Sequence, residues 1–383
     1  MKTNLSSQIT LDRVSPRYYR PDGSIERSVL TRFEKLPTDI YATIDEGANE
    51  VALKVAATIR QRQREIRACT IAFSGGATMT EVFNQLVRMH KEEGLSFQNV
   101  VAFVTHEYYP LPADSVQSNL KTLKEQFFDR VDIPAQNIYP LDGTTPQERV
   151  TEHCQAYENM IEQLGGIDIA LLGIGRMGNI AMNVTGSQRN SHTRLVLLDA
   201  ACRAEGVKVF GAEQNVPVCA ITMGVSTIRK ARKIFLIAWG DEKADVIKNA
   251  VEGEMSDAQS ATFLQMHNNV QVVLDLSSAA NLTRIRRPWL VTSCDWDDKL
   301  IRSAIVWLCQ KTGKPILKLT NKDYNENGLG ELLALYGSAY EVNIKIFNDL
   351  QHTITGWPGG KPNADDTNRP ERAKPAQKRV IIF

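Results

Sequence analysis

Across 383 residues there is no Cys-x-x-Cys pair and no short Cys/His cluster; six cysteines (Cys69, Cys154, Cys202, Cys219, Cys294 and Cys309) lie scattered. Neither a disulfide framework nor a structural zinc site is indicated, and a reducing, cytoplasmic setting fits best. Nowhere do about 18 apolar residues run together, and residues 1–21 have no apolar core, so a membrane span and a signal peptide are not expected. An excess of one charge is missing too, with 45 Lys plus Arg against 44 Asp plus Glu. Without a net field, neither nucleic acid nor an acidic membrane surface is an expected partner. What is present is an ordinary globular hydrophobic share, 43%. The chain is long enough for two to three domains of about 150 residues each.

Up to about residue 45 the chain is irregular and rich in Ser, Arg and Pro, an N-terminal arm over 1–44 rather than a packed element. Strand and helix patterns then alternate. Apolar residues at helical spacing (Val51, Leu53, Val55, Ile59) predict a helix over 46–65. A strand at 69–74, a helix at 78–91, a strand at 100–105 and a helix at 116–128 follow. Next come a helix at 147–164, strands at 167–173, 194–198, 220–223 and 233–238, a helix at 241–251 and a strand at 270–275. This alternation implies βαβ crossovers, hence a Rossmann-like α/β domain over 45–283: a doubly wound, mainly parallel sheet with helices on both faces.

Residues 284–355 carry three of the five tryptophans (Trp289, Trp296, Trp307), with a strand expected at 289–292 and helical patches at 297–311 and 330–335. They are few for an independent domain and are expected as a docked α/β C-terminal extension. From 355 to 378 Pro, Gly, Asp, Asn, Lys and Arg take over, which is linker composition. The closing run Arg379-Val380-Ile381-Ile382-Phe383 makes 356–383 a linker and strand stub. That strand either opens a further domain or adds to the existing sheet edge.

Three loops carry candidate chemistry. Ser74-Gly75-Gly76-Ala77-Thr78 falls between strand and helix, where glycines let the backbone close on an anion and the helix start offers unpaired N–H groups. Without a Walker lysine, a phosphate monoester suits this loop better than a triphosphate; a turn required only by strand-to-helix geometry is the other reading. Gly173-Ile174-Gly175-Arg176-Met177-Gly178 matches G-x-G-x-x-G, and Asp199 stands about 20 residues on, the dinucleotide fingerprint taken literally. Against it, residues 179–192 lack the apolar periodicity of the helix a pyrophosphate needs. His106-Glu107-Tyr108 ends the 100–105 strand, so it joins both glycine loops in the crevice beyond the carboxyl ends of parallel strands. His106 and Glu107 are candidate acid/base groups, or else cap a loop toward solvent. The remaining histidines show no metal-ligand spacing.

With these motifs in this order, residues 45–283 resemble the glucosamine-6-phosphate deaminase family, relatives of the 6-phosphogluconolactonases. The likeness rests on the Ser74 to Thr78 loop, on His106-Glu107-Tyr108 with Leu111-Pro112 and Ser118, and on Gly173-Ile174-Gly175 through Asn183. It extends to Thr222-Met223-Gly224-Val225 and to Lys243-Ala244 with Val251-Glu252-Gly253. It implies a protein of amino-sugar metabolism that binds a small sugar phosphate. The family reaction, of isomerase/hydrolase type, converts the hexosamine phosphate to ketose phosphate and ammonia by ring opening and proton transfer between C1 and C2. By this likeness Ser74, Gly75, Gly76, Ala77 and Thr78 hold the phosphate and Lys243 supplies a cation. Lys208 stands where the family has arginine, keeping the charge without the bidentate fork.

The catalytic half departs from the family pattern. His106 replaces the aspartate of a D-E-Y triplet. In the loop G-x-G-x-D-G-H-x-x-F-N-E-P, Met177 replaces the aspartate, Asn179 the ring-opening histidine and Val184 the supporting glutamate, while Asn183 is kept. An amide moves no proton near neutral pH, and losing several acid/base roles of about 10²- to 10⁴-fold each is expected to suppress the family reaction. Two functions stay open: a deaminase with His106 as base and Glu107 assisting, or a non-catalytic sugar-phosphate binder or scaffold. No cofactor is implied, and assembly into a homo-oligomer is left open. Residues 282–383 resemble the connector of longer members that continue into a zinc-dependent sugar N-deacetylase-like domain. That domain opens with an apolar strand and a P-H-P-D-D motif. The motif does not follow 379–383 here, so no zinc site is expected.

Overall fold

Unbroken apolar runs form strands only where both faces of a sheet are covered, and the structure, a computed structural model, shows that arrangement. It describes residues 14–355; the linker and strand stub expected at 356–383 lie outside the described residues. The chain divides after Arg286 into two compact units.

The first unit contains β1 (Thr38–Tyr41), β2 (Cys69–Phe73), β3 (Val100–Val104), β4 (His106–Tyr109), β5 (Ile138–Tyr139), β6 (Ile169–Gly173), β7 (Arg194–Leu197), β8 (Cys219–Thr222), β9 (Lys233–Ala238) and β10 (Val270–Asp275). Its helices are α1 (Ser24–Leu30), α2 (Ile44–Arg64), α3 (Thr80–Glu93), α4 (Asn119–Gln126), α5 (Val150–Gln163), α6 (Ala200–Phe210), α7 (Val225–Arg229), α8 (Ala244–Glu252) and α9 (Thr283–Arg286). Seven strands make one sheet in the order β1-β10-β9-β6-β2-β3-β5, every pairing parallel. Successive residues of its central strands enter opposite cores. Ile71, Phe73, Ala102, Val104, Ile169 and Leu171 pack under α2, α3 and α4. Ala72, Val101, Phe103, Ala170 and Leu172 pack with residues of α5, α7 and α8, among them Tyr157, Ile228 and Ile247. Each fully buried Val, Ile, Leu or Phe among them contributes roughly 1.5–3 kcal/mol, so a strand apolar on both faces is stable where layers cover both, as here.

Four expectations need correction. Strands at 194–198 and 220–223 do not join the parallel sheet; β4, β8 and β7 form a separate antiparallel one. The outer side of β7 faces solvent, with Leu197 71% exposed, an environment the two-faced sheet does not offer. His106-Glu107-Tyr108 is accordingly not a loop but the start of β4, one residue beyond β3. The described part of the arm, from residue 14 on, is packed: α1 precedes β1, whose Thr38 pairs with Val272 at the sheet edge, and within β1 Thr38 and Ile40 are the buried residues. Finally, the strand expected at 289–292 is a 3₁₀ turn, Pro288–Leu290, because proline fixes φ and brings no ladder donor.

The described part of the second unit is helical: α10 (Asp298–Thr312), α11 (Asn321–Glu326), α12 (Gly330–Tyr336) and α13 (Ala339–Thr355). Asp297 caps α10 by accepting from Leu300 N, and a reciprocal Thr320/Asp323 capping box starts α11. Trp289, Ile305, Leu308, Tyr324, Leu332 and Val342 share its core. Among the described residues no helix is long and apolar enough to cross a membrane.

Candidate functional site

Strands β9, β6, β2 and β3 are consecutive in the sheet. The chain leaves β2 toward β3 and leaves β6 toward β9, so the order reverses between them and a crevice opens at their carboxyl ends. Each strand delivers residues there: Ser74 and its glycines after β2, Thr105 and His106 after β3, the loop from Gly173 after β6, and the turn Asp241–Lys243 after β9. Ser74, Gly75, Gly76, Thr78, His106, Gly173, Gly175, Asn179, Glu205 and Lys243 are among the residues lining a cleft of about 220 Å³. A wider hollow of about 490 Å³ beside α5 and β7 offers less chemistry. Its buried carboxylate, Glu158, already accepts from Thr193 N, Thr193 Oγ1 and Thr227 Oγ1.

Close asparagine side chains explain two of the glycines. A Cβ on Gly75 would stand 2.8 Å from Asn119 Oδ1, and one on Gly175 would stand 2.0 Å from Asn179 Oδ1. Behind the first glycine loop runs a buried hydroxyl chain: Ser74 Oγ lies 2.9 Å from Thr105 Oγ1, itself 2.9 Å from His106 Nδ1. Burial pushes the His106 pKa down to about 4, so the imidazole is neutral at pH 7. Its neighbour Glu107 leaves β4 on the other face. Its carboxylate accepts from Tyr108 N (2.9 Å), Asn119 N (3.1 Å), Leu120 N (3.1 Å) and Ser118 Oγ (2.8 Å). Glu107 thus satisfies the orphan donors at the start of α4 and is not among the cleft residues.

The remaining candidates separate in the same way. Asn179 lines the cleft; its Nδ2 donates to Ala181 O at 2.9 Å, and its buried Oδ1 has no partner among the described residues. Met177 is 44% exposed and outside the lining, whereas Val184 packs beside the cluster of Tyr108 and Val196. Asn183 is fully buried and structural, donating to Ile180 O and Met223 O and accepting from Arg194. Lys243 is nearly buried. Burial lowers its pKa, opposed by the nearby carboxylates of Glu205 and Glu242. Lys208 on α6 is exposed and, like Ala77, outside the lining. No helix follows Gly178 before β7, and Asp199 is the N-cap of α6, so the dinucleotide fingerprint lacks its helix and its ribose partner. Sequence reasoning missed Thr105, Arg176 and Glu205. Thr105 had a faint signal as a hydroxyl residue at a strand's carboxyl end; Glu205 had none, because α6 was not expected. Among the described residues no group of three or more His, Cys, Asp or Glu is placed to hold a metal.

Fold and cleft together define an α/β domain with a glycine loop, a buried lysine and a buried, neutral imidazole around one cleft at a sheet switch point. Residues 42–273 match the family described as glucosamine-6-phosphate isomerases/6-phosphogluconolactonase, and the chain belongs to that family. It is 66% identical over 383 residues to a glucosamine-6-phosphate deaminase-like protein of Bacteroides thetaiotaomicron, all of this chain matching 58% of that relative's length. To the glucosamine-6-phosphate deaminase of Corynebacterium urealyticum it is 38% identical over 239 residues, 62% of this chain and 91% of the other. Among solved structures, a monomeric glucosamine-6-phosphate deaminase superposes with a TM-score of 0.61 at 30% identity, over 64% of this chain and all of that one. The 6-phosphogluconolactonase of Trypanosoma brucei shares the fold, at a TM-score of 0.54 and 23% identity over 65% of this chain and 99% of its own.

Proposed function

We propose that this protein binds an amino-sugar phosphate in the cleft, with the phosphate on the Ser74 to Thr78 loop and Lys243, and that its deaminase turnover is strongly suppressed. The observation that carries the reading is the convergence of that loop, the buried Lys243 and the buried neutral His106 on one cleft. Helix-start N–H groups and a desolvated ammonium suit a phosphate monoester. Sugar hydroxyls would meet His106 and the unpartnered Asn179 Oδ1.

The same geometry argues against fast chemistry. Proton transfer between C1 and C2 needs a base whose pKa lies near the working pH. An imidazole with pKa about 4 is a weak base for a carbon acid. Asn179 forms hydrogen bonds but moves no proton, and Glu107 is saturated by α4. Calorimetry is expected to detect glucosamine 6-phosphate binding that Lys243→Ala weakens by about tenfold or more. Ammonia release is expected at least about 10³-fold below a typical turnover of about 10 s⁻¹. Turnover near that typical value overturns the suppressed-chemistry reading; no binding at millimolar ligand overturns the binding reading. Restoring His106→Asp, Met177→Asp, Asn179→His and Val184→Glu together is expected to raise ammonia release.

A further inference from the structure

A phosphate monoester carries nearly two negative charges, and Lys243 alone balances one. Lys208 is exposed and outside the lining. Arg176 is outside the lining too, but its backbone and its side chain both meet Glu205, which is in it. Arg176 follows Gly173, Ile174 and Gly175, three residues that line the cleft, and its guanidinium bridges two carboxylates at the cationic end. Nη2 lies 2.7 Å from Glu242 Oε2, and Nε lies 3.7 Å from Glu205 Oε1. The same Glu205 oxygen accepts from Arg176 N at 2.9 Å. A cleft-lining carboxylate therefore takes a glycine-loop N–H and sits beside a guanidinium and near Lys243, the partners a bound anion would seek.

We infer that Arg176 is the second cation of the phosphate subsite and that an incoming phosphate monoester exchanges with the Glu205 carboxylate on it. The inference rests on the binding reading above and specifies its anion end. A guanidinium offers a planar fork that matches phosphate as well as carboxylate. At 48% side-chain exposure Arg176 turns from one to the other without disturbing the core. Glu205 acts as an internal competitor beside the guanidinium, whose Nη2 is held by Glu242, and it weakens the binding of any dianion.

Calorimetry with inorganic phosphate and with glucosamine 6-phosphate at low ionic strength tests this on the full chain. Arg176→Gln is expected to weaken both ligands by about tenfold or more. Glu205→Gln, which keeps an acceptor for Arg176 N while removing the charge, is expected to tighten both several-fold. Opposite signs are decisive, because a purely structural ion pair predicts the same loss from either partner. The inference is overturned if Arg176→Gln binds like wild type, if Glu205→Gln weakens binding, or if Lys208→Ala causes the loss in place of Arg176→Gln. A wild-type protein that binds neither ligand overturns the binding reading and this inference together; wild-type binding retained in Arg176→Gln overturns this inference alone.

Discussion

His106 and Glu107 adjoin in sequence yet do different work, because β4 sends successive side chains to opposite faces. Glu107 meets three backbone N–H groups and the Ser118 hydroxyl, so its loss strands buried donors at roughly 1–3 kcal/mol for a group left unsatisfied. Glu107→Ala is expected to lower the unfolding free energy by about 2–4 kcal/mol, with Glu107→Gln in between. Chemical denaturation reads this; lost ligand binding at an unchanged midpoint would instead assign Glu107 to the cleft. For His106 the pKa of about 4 sets a second expectation. Its NMR resonances should not titrate between about pH 8 and 5.5, because the folded protein excludes the proton that an unfolded histidine takes near 6.5. A midpoint near 6.5 would show an imidazole open to solvent. Both residues were visible as one motif, but the face each occupies was not, since the strand was expected to stop at residue 105. Ser74 was legible because a glycine loop after a strand has a fixed place in an α/β fold, whereas Lys243 was legible only through the family resemblance. Arg176 and Glu205 were not, because their pairing depends on how α6 packs.

At the scale of elements, legibility follows burial. The runs 69–74, 100–105 and 233–238 were readable since both faces of β2, β3 and β9 are covered. Elements with mixed surroundings were not: α6 buries only Cys202 and Gly206, and β5 has two half-buried residues. Helix α4 begins at Asn119, three residues later than expected, because Ser118 is its N-cap and Val116 is 70% exposed. The second glycine loop shows what a missing helix permits. It turns back so tightly that Asn179 crowds Gly175. Gly175→Ala must therefore displace a buried side chain held by Ala181 O. It is expected to lower stability by about 1–3 kcal/mol and to weaken ligand binding through the displaced Asn179. Gly23→Ala, with no atom within 4 Å of the added methyl, is the comparison and is expected within about 0.5 kcal/mol of wild type. Thermal melts with calorimetry separate the two, and equal behaviour would remove the packing argument for the loop.

For the molecule as a whole, near-zero net charge conceals a buried pair that joins the beginning and end of the first unit. Glu34, just before β1, meets Arg284 in α9, 250 residues away in sequence. Glu34 Oε1 lies 2.8 Å from Arg284 Nε, both side chains are 2% exposed, and Arg284 Nη2 also donates to Thr38 O at 2.8 Å. Burial is the strongest influence on the Glu34 carboxyl. Together with Glu252, and against Arg284 and Arg27, it raises the pKa to about 7 from the ordinary 4.5. Between those values the folded chain keeps a proton that the unfolded chain has released. This group's contribution to stability is therefore full below about pH 4.5 and is lost as pH rises through about 7, amounting to about 3 kcal/mol. Glu34→Gln holds the neutral form at every pH and removes that dependence. Denaturation of the full chain at about pH 5.5 and pH 8 should show wild type losing about 1–3 kcal/mol more than Glu34→Gln over the interval. Parallel losses in the two proteins would mean that Glu34 is already ionised at pH 5.5. The clasp between the two ends of the unit would then be a charged pair over the whole range.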